Sequence, residues 1–382
     1  MKLTLLGATG SIGRSTVDVM LQHRELFSAY ALVGHQNVEK MCELAESLHP
    51  ELVIMTDPDA ASKLKGRLPS GVKLEAGMDA AIAAASESSV DMVLAAMVGS
   101  AGLPAALAAV RAGKRVGLAN KECLVTAGRI FMQAAHEHGA TVLPVDSEHA
   151  AVHQALAGHD HDSVRRIILT ASGGPFRNRD PKTLHDVSPE EAIAHPNWDM
   201  GAKISVDSAT MMNKALELIE ARWLFNMPPE KLSAIIHPQS IVHAMVEYRD
   251  GSVLAQLAEP DMRSPIAYAM QTESRLTSGI PWLDLVKTGT LEFQGVDEQR
   301  FPAMRLVQSV MRGEDSLAIV FNAANEVANQ AFRDRNIGFM QIVESVESVL
   351  SQVENLPVDT VEDIWSYDRE ARRLTKEVIT KC

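Results

Sequence analysis

Six short apolar runs punctuate the chain before residue 150: Leu3–Leu6, Tyr30–Val33, Leu52–Met55, Met92–Met97, Arg115–Leu118 and Thr141–Val145. Between them, apolar residues recur at three- and four-residue spacing, as in Val17/Met20/Leu21 and Val38/Met41/Leu44/Leu48. Strand-length runs alternating with helical spacing require a parallel sheet covered by helices, here a doubly wound one. Ligands of such sheets sit beyond the carboxyl ends of the strands. That rule alone selects Gly7–Gly13, Gly34–Asn37, Ala95–Ser100, Asn120–Glu122 and Asp146–Glu148 as addresses for chemistry.

The first address is Gly7-Ala-Thr-Gly10-Ser-Ile-Gly13, three glycines between a strand and a helix. Gly7 permits the tight turn, Gly10 lets backbone approach a pyrophosphate, and Gly13 allows close helix–strand packing. Free N–H groups at the helix start then face the anion. The pattern predicts a Rossmann-like dinucleotide-binding domain. A carboxylate at the end of the second strand would read the ribose of NAD. Gly34-His35-Gln36-Asn37 has none, which favours NADP, with Arg14 and His35 the nearest potential cations.

Beyond residue 150 the pattern changes. Val164–Ala171 reads as a strand running into Ser172-Gly-Gly-Pro175, and Lys203–Asp207 as a second short strand. Ala209–Phe225 has helical spacing, and Ile235–Tyr248 with Ser252–Leu257 flank a hairpin turn at Arg249-Asp-Gly251. These make an α+β domain. Gly279–Pro302 is a connector, and from Ala303 onward helical spacing predicts a small bundle. The expected segments are therefore 1–146, 147–278, 279–302 and 303–382.

Charge narrows the partners. With 36 Lys and Arg against 49 Asp and Glu, the net charge of −13 argues against nucleic acid bound through its phosphates and against anionic membranes. Met92–Val110 is uncharged and long enough to span a bilayer, but Gly99, Ser100, Gly102 and Pro104 at its centre predict a strand, a turn and a helix start. The three cysteines, Cys42, Cys123 and Cys382, are too scattered for a disulfide framework and fit a reducing cytoplasm. The opening residues lack the pattern of a signal or transit peptide.

Asp146-Ser147-Glu148 closes the sixth run, and in extended chain both carboxylates would point to one side. Asn213, Glu217 and Glu220 share a face of the predicted 209–225 helix, with Lys214 one step round. Oxygen-only ligands suit Mg²⁺ or Mn²⁺, although acidic pairs at helix starts also serve as caps. Lys214 has the alternative of pairing with Glu217 or Glu220, and Ser172 with its two glycines that of a plain turn. His149 and His153 stand four residues apart as zinc ligands would. They lack the glutamate of a zinc-protease motif and read as ordinary helix residues.

Taken together these segments resemble the 1-deoxy-D-xylulose 5-phosphate reductoisomerase family. The carriers are Gly7–Gly13, Leu118-Ala-Asn-Lys-Glu122, Val145-Asp-Ser-Glu148, Ala171-Ser-Gly-Gly-Pro-Phe176, His195-Pro-Asn-Trp-Asp-Met-Gly201, Lys203–Lys214, His237-Pro-Gln-Ser240 and Glu259-Pro-Asp-Met-Arg263, in that order. The resemblance implies NADPH- and metal-dependent conversion of 1-deoxy-D-xylulose 5-phosphate to 2-C-methyl-D-erythritol 4-phosphate, in the non-mevalonate isoprenoid pathway, by a homodimer with a C-terminal helical bundle. It implies that Asp146, Glu148 and Glu217 hold Mg²⁺ or Mn²⁺, and that Lys121, Glu148 and His195 act in catalysis. Ser172, Ser208, Asn213 and Lys214 would surround the substrate phosphate; Ser147, Glu148, His195, Trp198 and Glu217 would complete the substrate site, Trp198 with Met200 in a closing loop. Thr9, Gly10, Ser11, Ile12, Gly34, Gln36, Asn37, Asn120, Lys121, Glu122, Gly201 and Met262 would meet the coenzyme. Two segments depart from the family pattern. His35-Gln36 stands where glycine followed by a basic or small residue is frequent, and Asp199 where serine is common, with its side chain expected to point outward. Two other readings compete: an NADP-dependent semialdehyde dehydrogenase, which needs a catalytic cysteine absent between Cys123 and Cys382, and an NADP-sensing protein without chemistry.

Overall fold

The computed structural model describes residues 1–194, 198 and 200–381. They form two compact units, the first made of Met1–Cys123, Phe131–Ala150 and Asp261–Trp282, the second of Leu124–Ile130, Ala151–Pro260 and Leu283 onward.

The first unit holds a seven-stranded sheet: β1 (Lys2–Leu6), β2 (Ser28–Gly34), β3 (Leu52–Met55), β4 (Lys73–Ala76), β5 (Met92–Ala95), β6 (Arg115–Leu118) and β7 (Thr141–Pro144). All neighbours are parallel, in the order β4-β3-β2-β1-β5-β6-β7. The order reverses between β1 and β5, the switch point at which such sheets bind ligands. The connecting helices are α1 (Ser11–Gln22), α2 (Val38–Leu48), α3 (Pro58–Leu64), α4 (Met78–Ser86) and α5 (Leu103–Arg111), followed by α6 (Glu122–Glu137) and α7 (Ser147–Leu156). Strands buried on both faces explain the unbroken apolar runs of β3 and β5, all four residues of each being buried.

One expectation needs extending, since the sheet has seven strands and not six. β4 reads Lys-Leu-Glu-Ala and lies exposed at the sheet edge, so it carries no apolar run to find. The uncharged stretch from Met92 resolves into β5, a turn and α5, and no helix among the described residues is long and apolar enough to cross a membrane.

The second unit contains a mixed four-stranded sheet of β8 (Val164–Ala171), β9 (Leu232–Ile236), β10 (Val242–Tyr248) and β11 (Val253–Leu257), in the order β11-β10-β8-β9. β10 is antiparallel to β8 and β11, while β8 and β9 are parallel. The expected continuous strand Ile235–Tyr248 is in fact β9, a turn and β10, because Ser240 adopts φ 55° and the buried His237 ring accepts from the N–H groups of Ile241 and Val242.

The helices after α7 are α8 (Pro189–Ile193), α9 (Ala202–Ala209), α10 (Met212–Leu224), α11 (Arg263–Met270), α12 (Leu285–Thr288), α13 (Pro302–Arg312), α14 (Asp315–Arg333), α15 (Gln341–Leu350) and α16 (Val361–Thr380). The strand expected at Lys203–Asp207 is the helix α9 instead. Ile204 and Val206 alternate as in a strand, but the buried carboxylate is Asp207, whose Oδ1 accepts from the side-chain amides of Asn325 at 2.9 Å and Asn329 at 2.8 Å on α14. Tertiary packing overrides local alternation here. Helix spacing over Ala209–Phe225 is likewise interrupted at Met211, with φ 62°. α11 belongs to the first unit, where Ile266, Ala267, Ala269 and Met270 join the core of β1, β2 and β5. The Arg115 guanidinium on β6 donates to the Ala269 carbonyl and fixes the helix end.

Candidate active site

In the first unit, the chain leaves β1 through Gly7 at φ 84°, a conformation that suits glycine. Gly7 and Ala8 donate their N–H groups to the Val33 carbonyl, tying the loop to β2. A Cβ on Gly13 would collide with the Ala8 and Gly7 carbonyls, so only glycine lets α1 start this close to the loop. Gly10 is different: a Cβ there would meet nothing nearer than the Gly7 oxygen at 3.3 Å. Its open side and the first-turn N–H groups of α1, which no N-cap side chain covers, form a cradle that fits a pyrophosphate. Gly34 ends β2 beside Thr9, and Met262 caps α11 and packs on the same core.

The exposed tip after β2 shows what its polar residues do. The His35 ring bonds the Thr56 hydroxyl at 2.9 Å, the Gln36 amide donates to Asp57 at 2.8 Å, and the Asn37 side chain caps α2 through the Lys40 N–H. After β6, the Asn120 side-chain amide donates to the Met97 and Gly99 carbonyls and so pins the loop after β5. Lys121 and Glu122 follow it, both buried.

Lys121 reaches across to Asp146 at the end of β7, Nζ to Oδ2 at 2.8 Å, and the His149 ring lies 3.4 Å from the other carboxylate oxygen. Burial would raise the Asp146 carboxyl, but the Lys121 ammonium and His149 outweigh it and hold the group well below the usual carboxylate range. The expected extended geometry of Asp146-Ser147-Glu148 is corrected. Ser147 already opens α7, Asp146 accepts from the Glu148 N–H at 3.3 Å as its cap, and the Ser147 hydroxyl donates to the Glu148 carboxylate. The cap and ligand readings are therefore compatible in one residue. His149, read from sequence as an ordinary helix residue, is buried against Asp146; their i, i+3 spacing was the available signal.

In the second unit, β8 delivers Ser172, whose hydroxyl accepts from the Gly174 N–H at 3.1 Å. Gly173 and Gly174 both have positive φ, and a Cβ on Gly174 would press on the Ala209 backbone at 2.9 Å. This close approach brings the Ser172 turn to the end of α9, where Ser208 lies. Gly201 caps the start of the same helix. On α10, Asn213 and Lys214 both donate to the Glu217 carboxylate, so the ion-pair alternative for Lys214 is realised. Lys214, Glu217 and Glu220 are all buried. The Trp198 ring lies 6.4 Å from that of His243, centroid to centroid. His195 and Asp199 fall outside the described residues.

A glycine cradle at the switch point of a parallel doubly wound sheet, with partly buried carboxylates following its last strand, is the equipment of a nicotinamide-dependent oxidoreductase. Three family models match along the chain: 1-deoxy-D-xylulose 5-phosphate reductoisomerase at residues 3–128, its C-terminal domain at 142–225, and the DXP reductoisomerase C-terminal domain at 257–374. The chain is 49% identical over 386 residues to the reductoisomerase of Burkholderia lata, covering 100% of this chain and 97% of that one, and 50% identical over 385 residues to that of Paraburkholderia xenovorans, covering 100% and 96%. A crystal structure of DOX-P reductoisomerase in complex with NADPH, fosmidomycin and magnesium superposes with a TM-score of 0.93 at 40% identity, over 100% of this chain and 98% of that one. The Zymomonas mobilis enzyme in complex with NADPH gives 0.93 at 44%, over 99% and 98%. The chain belongs to the 1-deoxy-D-xylulose 5-phosphate reductoisomerase family.

Proposed function

We propose that this chain rearranges and reduces 1-deoxy-D-xylulose 5-phosphate to 2-C-methyl-D-erythritol 4-phosphate with NADPH and Mg²⁺ or Mn²⁺, in the non-mevalonate pathway. The observation that carries the reading is a pair of shielded carboxylates, each matched to a buried lysine: the partly buried Asp146 with Lys121, and the buried Glu217 with Lys214. Buried carboxylates are retained where a cation or a reaction needs them.

Asp146, Glu148 and Glu217 supply the all-oxygen donor set that a hard divalent ion requires. When bound, the ion polarises the substrate carbonyl and favours ionisation of its neighbouring hydroxyl, and NADPH supplies the hydride. Lys121 and His149 orient the Asp146 carboxylate, as outer partners of ligands do. Lys121, Glu148 and His195 handle protons and substrate oxygens. Ser172, Ser208, Asn213 and Lys214 take the phosphate, a point charge among hydroxyl and amide donors. Trp198 with Met200 covers the substrate and excludes water, so phosphate binding far from the reacting carbons is used for closure. Thr9–Ile12, Gly34, Gln36, Asn37, Asn120–Glu122, Gly201 and Met262 line the coenzyme.

The segments divide accordingly: 1–146 for the coenzyme, completed by the returning Asp261–Trp282 within 147–278, the rest of 147–278 for catalysis and dimerisation, 279–302 as connector and 303–382 as supporting bundle. The protein acts as a cytoplasmic homodimer; β11 supports this, an edge strand with Val253 and Leu254 exposed, which a second copy would cover. The test is NADPH oxidation with the ketose phosphate, with and without Mg²⁺ or Mn²⁺. Metal-dependent oxidation is expected. A folded protein that binds NADPH but oxidises none of it would turn the reading toward a coenzyme sensor.

A further inference from the structure

The tip of β2 carries no acid in sequence, yet the fold delivers one. β3 lies beside β2 in the sheet, and the residue two past its end, Asp57, reaches the exposed Gln36 side chain at 2.8 Å. Asp57 is held in place from its other side, its Oδ1 accepting from the Asp59 and Ala60 N–H groups at the start of α3. The Gln36 amide and the Ala60 N–H keep its carboxyl below the ordinary value, so it is charged at neutral pH. Among the basic side chains around α2, Lys40 pairs with Glu43 and Arg67 with Glu39 through both carboxylate oxygens, while the His35 ring, bonded to Thr56, lies close enough to Asp57 to favour its charge.

The carboxyl end of β2 is where doubly wound sheets distinguish a ribose 2′-hydroxyl from a 2′-phosphate. We propose that Asp57, acting with Gln36, is a coenzyme-selectivity residue that opposes the 2′-phosphate and limits the preference of this enzyme for NADPH over NADH. The Gln36 amide, turned to Asp57, is spent on a carboxylate where a basic side chain would meet a phosphate. The inference rests on the coenzyme reading above but concerns only its 2′ end.

The test compares wild type, Asp57→Asn and Asp57→Ser by equilibrium titration with NADPH, NADH, adenosine 2′,5′-bisphosphate and AMP. Asn and Ser both keep the α3 cap, so folding is preserved while the charge is removed. Removing one surface charge near a phosphate should tighten NADPH and the bisphosphate roughly five- to tenfold, with NADH and AMP unmoved. The gain should shrink in high salt. Unchanged NADPH affinity, or equal shifts for NADPH and NADH, would overturn the assignment. Failure of wild type to bind NADPH at all would instead strike the coenzyme reading beneath it.

Discussion

Lys121 Nζ and Asp146 Oδ2 form a 2.8 Å ion pair in which both side chains are nearly shielded from water, at 8% and 11% exposure. Such a pair is weak evidence for net stability, but breaking it leaves a buried charge uncompensated. Lys121→Met should therefore cost about 3 kcal/mol, the low end of the range because His149 also faces Asp146. Urea unfolding of the metal-free protein reads this directly; a loss below half that value would show that Asp146 relaxes into solvent.

Asp146→Asn and Glu217→Gln remove the charge of a proposed metal ligand while keeping shape. Each should leave NADPH affinity within a factor of about two and lower turnover by at least about a hundredfold, the scale of lost Lewis-acid stabilisation. Coenzyme titration beside steady-state kinetics checks both halves. Loss of NADPH binding in folded protein would contradict the assigned roles.

Lys214→Ala should raise the substrate KM about ten- to a hundredfold through loss of a charge-assisted contact to phosphate. NADPH affinity should stay constant. An unchanged KM would return Lys214 to the plain partner of Glu217.

The two glycines at the start of α1 separate fold from coenzyme. Gly13→Ala drives a methyl into the Ala8 and Gly7 carbonyls and should destabilise by about 3 kcal/mol. Gly10→Ala meets only one oxygen at 3.3 Å, so the melting temperature should barely move while NADPH binding weakens. Thermal unfolding with coenzyme titration distinguishes them, and equal destabilisation would refute the division.

Asp261 accepts from Arg263 at the start of α11, and Arg263 also reaches Asp18 on α1 at 3.0 Å. Partial burial pushes the Asp261 carboxyl up, but the Arg263 guanidinium more than offsets this and leaves it depressed. A depressed carboxylate stabilises fully above its unfolded pKa of about 3.9 and loses that contribution as pH falls through the folded value. Asp261→Asn should thus cost up to about 1 kcal/mol at neutral pH, after solvent screening. The difference from wild type should close below about pH 4. A gap that persists at low pH would place its origin in shape and not charge.

What the sequence disclosed followed the physics of each element. The strands buried on both faces announce themselves as apolar runs, and the glycine loop is legible because each glycine answers a distinct steric demand. β4 escapes because an exposed edge strand needs no such run. α9 is misread because its identity depends on Asn325 and Asn329, more than a hundred residues away, meeting Asp207. The family motifs point to Asp146 and Glu148, but not to the helix that begins between them. Asp57 is invisible for a related reason: only strand order brings the end of β3 to the end of β2.

The first unit takes its last segment, Asp261–Trp282, from far along the chain. During synthesis, β1 to β7 emerge early, yet the core they share with Ile266 and Met270 stays uncovered until α11 has left the ribosome. Everything from Ala151 to Pro260 is made in the interval. The nascent chain must therefore carry an unfinished nucleotide fold while about half of the second unit is being translated, a window in which chaperones would find exposed apolar surface.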